Sequence, residues 1–156
     1  MEFRNPTCGA LAFDGVIDEC CAYLHAEPNA AYAITIGSDS DVRDGAVEFI
    51  SAIVIHRKGH GARYFWAHAT KPPFHSLRER IWEEVIRSTS LATSVLEALN
   101  ARMAWAANIE VHVDVGEQGP TRTLIQELSG YVRAHGFIVC IKPFSYAASA
   151  VADRYT

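Results

Sequence analysis

Long hydrophobic runs are absent from this sequence of 156 residues. No apolar stretch approaches the ~20 residues that a membrane-spanning helix needs, and the start MEFRNPTCGA lacks the apolar core of a signal peptide. Dinucleotide-binding glycine fingerprints, phosphate-loop motifs and paired Cys/His zinc spacings are missing as well. We therefore expect a cytoplasmic protein that does not use a membrane.

Cysteine and net positive charge are also scarce. The four cysteines show no metal-ligand spacing, and adjacent Cys20 and Cys21 fit reduced residues on a helix better than a disulfide framework. The formal net charge is −4 and the sequence pI is about 5.9. The field of the whole molecule does not attract a polyanion, so any nucleic-acid contact needs local basic groups or bound metal ions.

Length and composition favour a single globular domain over residues 1–156, with 49% hydrophobic and 21% charged residues. Apolar residues at helical spacing predict a first helix over residues 13–25. Three strands should follow, at residues 32–38, in VEFISAIVIHR and in ARYFWAHA.

The second half of the chain alternates between helices and strands. Residues 76–106 predict a long amphipathic helix with Ser76 as its N-cap. The later segments predict, in order, a strand, a helix, a strand and a short helix: IEVHVDVG, TRTLIQELSGYVRAHG, FIVCIKP and SYAASAVADRYT. Three meandering strands followed by this alternation predict an α/β fold with a mixed sheet, antiparallel on one side and parallel on the other.

Two aspartates follow apolar strand segments in the same way. ITIGSDSDV brings Asp39 to the end of the first predicted strand, and IEVHVDVG brings Asp114 to the end of the fourth. In open α/β sheets ligands bind beyond the carboxyl ends of strands, where the connections change direction, so parallel neighbours would bring these acids together. The alternative for each is a turn former or helix cap that accepts nearby backbone N–H groups.

The long helix offers a third acid. At about 100° per residue, Glu84 lies about 65° from the centre of the apolar stripe, at its border, whereas Glu79 lies roughly opposite the stripe. Glu84 is therefore the candidate that can face the sheet, and Glu79 is the fallback. The alternative is that Glu84 forms a helical ion pair with Arg80 or Arg87.

Further candidates lie near the C-terminus. Asp153 is three residues from the end of the chain, where its alternative role is a surface ion pair with Arg154. Lys142 in IKPFSY and Arg122 in GPTR are candidates for binding substrate phosphate, or else solvated cations. His112 is a possible proton-transfer group, but its place between strand valines favours a packed and hydrogen-bonded role.

Taken together, several segments resemble the YkuK-type branch of the ribonuclease H-like superfamily, a group of predicted nucleases. The resemblance spans nearly the whole chain and rests on these strings in this order: NPTCG, ITIGSDSDV, SAIVIHRKG, RERIWEE, HVDVGEQGPTR, IKPFSYAAS and ADRYT. It implies a five-stranded mixed sheet in the order 3-2-1-4-5, flanked by helices.

The resemblance also implies a metal site. Acids on the first strand, the long helix, the fourth strand and the last helix hold two Mg²⁺ or Mn²⁺ ions in the superfamily, and the matching residues here are Asp39, Glu84, Asp114 and Asp153. The implied activity is two-metal hydrolysis of phosphodiester bonds in RNA, DNA or a hybrid.

Two rival functions remain open from the sequence. One is an inactive ribonuclease H-like module that binds nucleic acid or protein, with Tyr64, Phe65 and Trp66 as a stacking surface. The other is a small-molecule or structural α/β protein whose acids are only caps.

Overall fold

The computed structural model describes residues 1–104, 108–148 and 150–151. Its strands are β1 (Glu2–Asn5), β2 (Gly9–Ala12), β3 (Tyr32–Arg43), β4 (Ala46–Arg57), β5 (Ala62–Lys71), β6 (Ile109–His112) and β7 (Ile138–Cys140). Its helices are α1 (Phe13–Ala26), α2 (Leu77–Arg102) and α3 (Ile125–Ala134), with a 3₁₀ turn at Arg122–Leu124 directly before α3.

Within these residues the strands form one sheet of seven strands in the order β2-β1-β5-β4-β3-β6-β7. The strands β3, β4 and β5 pair antiparallel, whereas β6 is parallel to both β3 and β7. The mixed α/β sheet is thus confirmed, and its five strands from β5 to β7 follow the expected order 3-2-1-4-5. The expected total of five strands is wrong, because β1 and β2 extend the sheet beyond β5.

The two additional strands form an N-terminal hairpin that the sequence patterns did not predict. Each strand has only four residues, and EFRN and GALA contain no β-branched side chain. A short loop joins them between Asn5 and Gly9, where the Asn5 side chain accepts the backbone N–H groups of Thr7 and Cys8 at 2.8 Å and Gly9 takes φ +71°. An Asx turn followed by a left-handed glycine closes the hairpin.

Strand β3 is longer than predicted and β6 is shorter. The antiparallel ladder between β3 and β4 runs without interruption from Tyr32 to Arg43, and Asp44 and Gly45, both at positive φ, make a two-residue hairpin turn. An Asp-Gly pair is a strong signal for this turn, so β3 continues past Asp39 instead of ending before it. Strand β6 ends at His112, which leaves Asp114 beyond the strand.

The predicted helices are present with adjusted ends. The long helix α2 begins after Ser76, whose side chain accepts the N–H of Glu79 at 3.2 Å, as expected of an N-cap. It ends at Arg102, before the predicted end at residue 106, which lies outside the described residues. The predicted C-terminal helix is observed in part, since residues 147, 148, 150 and 151 are helical.

The apolar core lies on one face of the sheet, where α1, α2 and α3 pack. Alternate residues of the central strands, such as Ile34 and Ile36 in β3, are fully buried there against Val85 and Leu99 of α2. The opposite face carries a smaller apolar cluster in which Ala148 and Val151 cover Ile50, Ala52 and Trp66. Across the described ranges, no helix has both the length and the apolar character to span a membrane.

The hairpin should contribute to global stability because Phe3 of β1 is fully buried in the main core. We predict that Phe3→Ala lowers the free energy of unfolding by roughly 3–5 kcal/mol, as a large-to-small core substitution does. Chemical denaturation measured by circular dichroism tests this. Ile138→Ala, at a side chain that is 44% exposed, is the control and should cost less than about 1 kcal/mol. Equal effects of the two substitutions would contradict the packing of the hairpin.

Candidate functional site

The register of β3 and β6 places two acids side by side. Gly37 is paired with His112 at the end of the parallel ladder, and Asp39 and Asp114 each lie two residues further along their chains. Neighbouring strands are separated by about 4.8 Å, so equal offsets from one paired position bring the two aspartates to the same place. The expected convergence of these residues is therefore present in the geometry.

The chain bends at Asp114. The N–H of Val113 donates to the carbonyl of Cys140 at 2.9 Å, which continues the pairing of β6 with β7 by one residue. Val115 then donates to the carbonyl of Val113 at 2.9 Å, forming a three-residue turn centred on Asp114. Both valines are buried, so apolar packing on each side holds the aspartate at the bend.

A narrow cleft forms just beyond the end of the parallel ladder between β3 and β6. The residues after β7 form its other wall, and we call residues 145–148, 150 and 151 the closing segment. The cleft is lined by Ser38, Asp39, His112, Asp114, Ser145, Tyr146, Ala147 and Ala148. Two carboxylates beyond the parallel ladder of β3 and β6 thus share one concave surface with the closing segment.

Glu84 approaches the same acids from α2. It is only 4% exposed, and the hydroxyl of Ser40 donates to its Oε1. Burial raises the pKa of Glu84 to about 8, and the negative charges of Asp39 and Asp114 add to this shift, against the Ser40 hydrogen bond and Arg80. Three carboxylates from separate elements therefore interact electrostatically at one site.

The alternative role for Glu84 was a helical ion pair with Arg80 or Arg87. The guanidinium of Arg87 does not form this pair with Glu84. That guanidinium donates to Glu83 at 2.9 Å and lies over the ring of Phe49. Arg80 contributes to the electrostatics of Glu84 without replacing the Ser40 hydrogen bond.

Ser40 is a site residue that sequence reasoning missed. Its backbone N–H donates to Asp39 Oδ1 at 2.9 Å, while its hydroxyl donates to Glu84, so it joins two of the acids. Adjacent strand residues face opposite sides of a sheet, which lets Asp39 line the cleft while Ser40 faces α2. The alternation of serine and aspartate in ITIGSDSDV is the sequence signal, and it becomes informative only once β3 is known to continue beyond Ser38.

Lys142 is an immediate neighbour of the acids. Its Nζ lies 3.0 Å from Asp114 Oδ1, and its side chain is 54% exposed. The N–H of Lys142 donates to the carbonyl of Val115 at 2.8 Å. A Cβ on Gly116 would lie 3.0 Å from the Cβ of Lys142, so a glycine at position 116 permits this close approach.

Two other candidate residues are not among those that line the cleft, and a third lies outside the described residues. Glu79 accepts the N–H of His75 at 3.0 Å at the exposed start of α2, where it completes the helix cap. Arg122 is exposed in the 3₁₀ turn and is not among the cleft residues. Asp153 lies outside the described residues.

A second group of potential metal ligands lies beside the cleft. Ligand atoms of Glu110, His112 and Cys140 lie within 4.8 Å of one another. However, His112 Nδ1 accepts the N–H groups of Tyr146 and Ala147 at 3.0 and 3.3 Å, so the proton of the neutral ring is on Nε2. Since Nε2 is the atom that faces Glu110, the ring offers this group an N–H and not a lone pair, which does not fit a metal ligand.

The same contacts confirm that His112 is a packed and hydrogen-bonded residue. It is 4% exposed, and burial lowers its pKa against the opposing effect of Glu110. The protein therefore holds His112 as a neutral ring near neutral pH.

Comparisons with known proteins agree on one family. A model of the ribonuclease H-like family matches residues 15–156. The chain is 34% identical over 168 aligned positions to a protein of Bacillus subtilis (strain 168) named "Uncharacterized protein YkuK", an alignment that covers 99% of this chain and 96% of the relative. No solved structure gives a significant match.

The buried carboxyl of Glu84 predicts an unusual dependence of stability on pH. Its folded-state pKa of about 8 lies above the usual value of 4.5, so the stability associated with its protonation is complete below about pH 4.5 and is lost as the pH rises through 8. In EDTA, Glu84→Gln should therefore raise the free energy of unfolding by roughly 2–4 kcal/mol at pH 8.5 and by much less at pH 4.5. Urea denaturation at the two pH values measures this difference.

Glu83 provides the matched control for this prediction. Although burial opposes the shift, the hydrogen bond and charge of Lys71 together with Arg87 lower the pKa of Glu83. Its stabilising contribution is present above its unfolded-state pKa and is lost as the pH falls, so Glu83→Gln should destabilise the protein at pH 8.5. Effects of the same sign for both substitutions at pH 8.5 would contradict the assigned burial of Glu84.

Proposed function

Because the chain belongs to the ribonuclease H-like family, with the YkuK-type proteins as its relatives, we propose that it is a metal-dependent nuclease that hydrolyses phosphodiester bonds of RNA or DNA. The observation that carries the proposal is that Asp39 and Asp114 line one cleft and that buried Glu84 interacts electrostatically with both. A capping role for these acids would not require carboxylates from a strand, a helix and a loop to share one site.

The donor set fits a hard divalent cation. Asp39, Glu84 and Asp114 offer only oxygen atoms, which are the ligands that Mg²⁺ and Mn²⁺ take in proteins. Burying Glu84 beside two other acids is unfavourable for the ionised form, and a cation among them would offset that cost. We propose these three residues as metal ligands, and Asp153 as a fourth on the basis of the family resemblance alone. Two bound ions would supply an activated water and stabilise the leaving oxygen.

The protein's own polar groups would prepare the site for this chemistry. The two hydrogen bonds of Ser40 hold the Asp39 and Glu84 side chains in a defined relation, which limits the reorganisation that ligand binding requires. Ala147 and Ala148 line the cleft beside the acids, together with the larger side chains of His112 and Tyr146.

Lys142 is the proposed phosphate-binding residue. Its ammonium group lies 3.0 Å from Asp114 Oδ1, and more than half of its side chain is exposed. A flexible, exposed lysine can exchange a carboxylate partner for a substrate phosphate at little cost. Arg122 is proposed as a second phosphate contact, more remote from the acids and positioned at the turn that precedes α3.

The first test of the function is Asp39→Asn. This substitution keeps the shape of the side chain but removes its charge, so we expect Mn²⁺-dependent cleavage of labelled single-stranded, duplex and hybrid substrates to fall by at least about 10²-fold. Calorimetric titration with Mn²⁺ should show a parallel loss of affinity, and circular dichroism should show an unchanged fold.

The control for Asp39→Asn is Asp18→Asn. Asp18 is exposed on α1 and pairs with Arg102, which lies 18 residues from Glu84 and so about 27 Å along α2. This variant should retain full activity. Full activity of Asp39→Asn would refute the site, whereas nucleic-acid binding without cleavage by the unaltered protein would favour the inactive binding module.

A second test separates the two proposed roles of Lys142. Lys142→Gln removes a competitor for the Asp114 carboxylate, so Mn²⁺ should bind about two- to fivefold more tightly. Nucleic-acid affinity should fall, and the salt dependence of binding should decrease by about one counterion. Lys58→Gln is the control, because Lys58 bonds to Ala31 at the opposite end of β3. Weaker Mn²⁺ binding by Lys142→Gln would contradict the competition.

A further inference from the structure

Two backbone N–H groups near the start of the closing segment bond to a histidine of β6. His112 of β6 accepts the backbone N–H groups of Tyr146 at 3.0 Å and Ala147 at 3.3 Å through Nδ1. These are first-turn N–H groups, which have no carbonyl partner within a helix. A side chain 34 residues earlier in the chain thus takes the place of an N-cap.

The serine just before the helix does not take part in this contact. Tyr146 occupies the N-cap position, because its carbonyl accepts the N–H of Ala150 at 2.9 Å, and Ser145 precedes it. The Oγ of Ser145 is buried and has no hydrogen-bond partner among the described residues. His112 Nδ1 is the acceptor that the described structure gives the two N–H groups.

The histidine is itself held in one orientation. It is 4% exposed, its Nε2 lies 3.5 Å from Glu110 Oε2, and its ring meets that of Tyr146 edge to face at 4.7 Å. The backbone segments around the ring also lie close to one another. A Cβ on Gly37 would lie 3.3 Å from the His112 carbonyl oxygen and 3.4 Å from the nitrogen of Ala148. The ring is thus a rigid link between β6 and the closing segment.

We propose that His112 is a positioning residue that holds the closing segment in place as a wall of the acidic cleft. This inference rests on the proposed function, because it assigns the wall a part in metal and substrate binding. Asp114 lies two residues after His112. One short stretch of chain therefore contains both an acid of the site and the histidine that anchors its wall. Loss of the anchor would loosen the cleft while leaving the helical core on the other face intact.

The test compares two substitutions that differ in one property. His112→Asn places an acceptor oxygen near the position of Nδ1, whereas His112→Leu fills similar space without an acceptor. In His112→Leu, hydrogen exchange of the Tyr146 and Ala147 amides, measured by NMR, should accelerate at least about tenfold. In His112→Asn it should stay within about threefold of the unaltered protein. His25→Leu, at an exposed histidine of α1, is the control and should change neither rate.

Metal binding and kinetics distinguish positioning from a merely structural role. At a temperature where all variants are folded, His112→Leu should bind Mn²⁺ about three- to tenfold more weakly and show a lower kcat with little change in KM, and His112→Asn should restore both. A structural role alone would lower the melting temperature without changing the Mn²⁺ affinity of the folded protein.

The outcomes that overturn the inference are distinct from failure of the proposed function. Unchanged amide exchange in His112→Leu, or the same acceleration in His112→Asn, refutes the anchor. If His112→Leu does not fold, His112→Gln replaces it, since its longer side chain carries the acceptor away from the Nδ1 position, and equal exchange in the Asn and Gln variants refutes the anchor. If the unaltered protein neither binds Mn²⁺ nor cleaves nucleic acid, the function fails, while the exchange measurement still decides the anchor.

Discussion

The pairing of Gly37 with His112 is the constraint on which the rest of the site depends. This pair ends the parallel ladder between β3 and β6, and it sets Asp39 and Asp114 at equal distances beyond it. A larger residue would be crowded here, because a Cβ on Gly37 would lie 3.3 Å from the His112 carbonyl oxygen and 3.4 Å from the nitrogen of Ala148. The close approach of β3, β6 and the closing segment thus aligns the acids and positions the wall of the cleft.

Electrostatics at this site oppose stability. Glu84 is buried beside two other carboxylates, and a hydroxyl, a partly exposed lysine and Arg80 are among the groups that offset their charge. Apolar residues at these positions would fold more stably, since burying charge is costly in a protein interior. Such an arrangement is typical of a functional site that is assembled at the expense of stability.

The two faces of the sheet contribute differently to folding and to the proposed function. Three helices cover one face and build the main core, so most of the stability arises there. The other face is covered in the described structure by a small cluster around Ala148 and Val151. The acids lie beyond the end of the parallel ladder between β3 and β6, where α2 supplies Glu84 from the first face and the closing segment supplies the wall from the second. The site therefore lies between the main core on one face of the sheet and the smaller apolar cluster on the other.

By itself the sequence determined the features that arise from local patterns. Helical spacing and the Ser76 cap identified α2, β-branched runs identified the central strands, and the border position of Glu84 identified its inward face. The N-terminal hairpin was missed because its strands are short and weakly patterned. Only the tertiary structure decided that Ser40 joins two acids and that His112 caps the closing segment. Those contacts depend on register and on close approach between segments far apart in the chain, which no local pattern encodes.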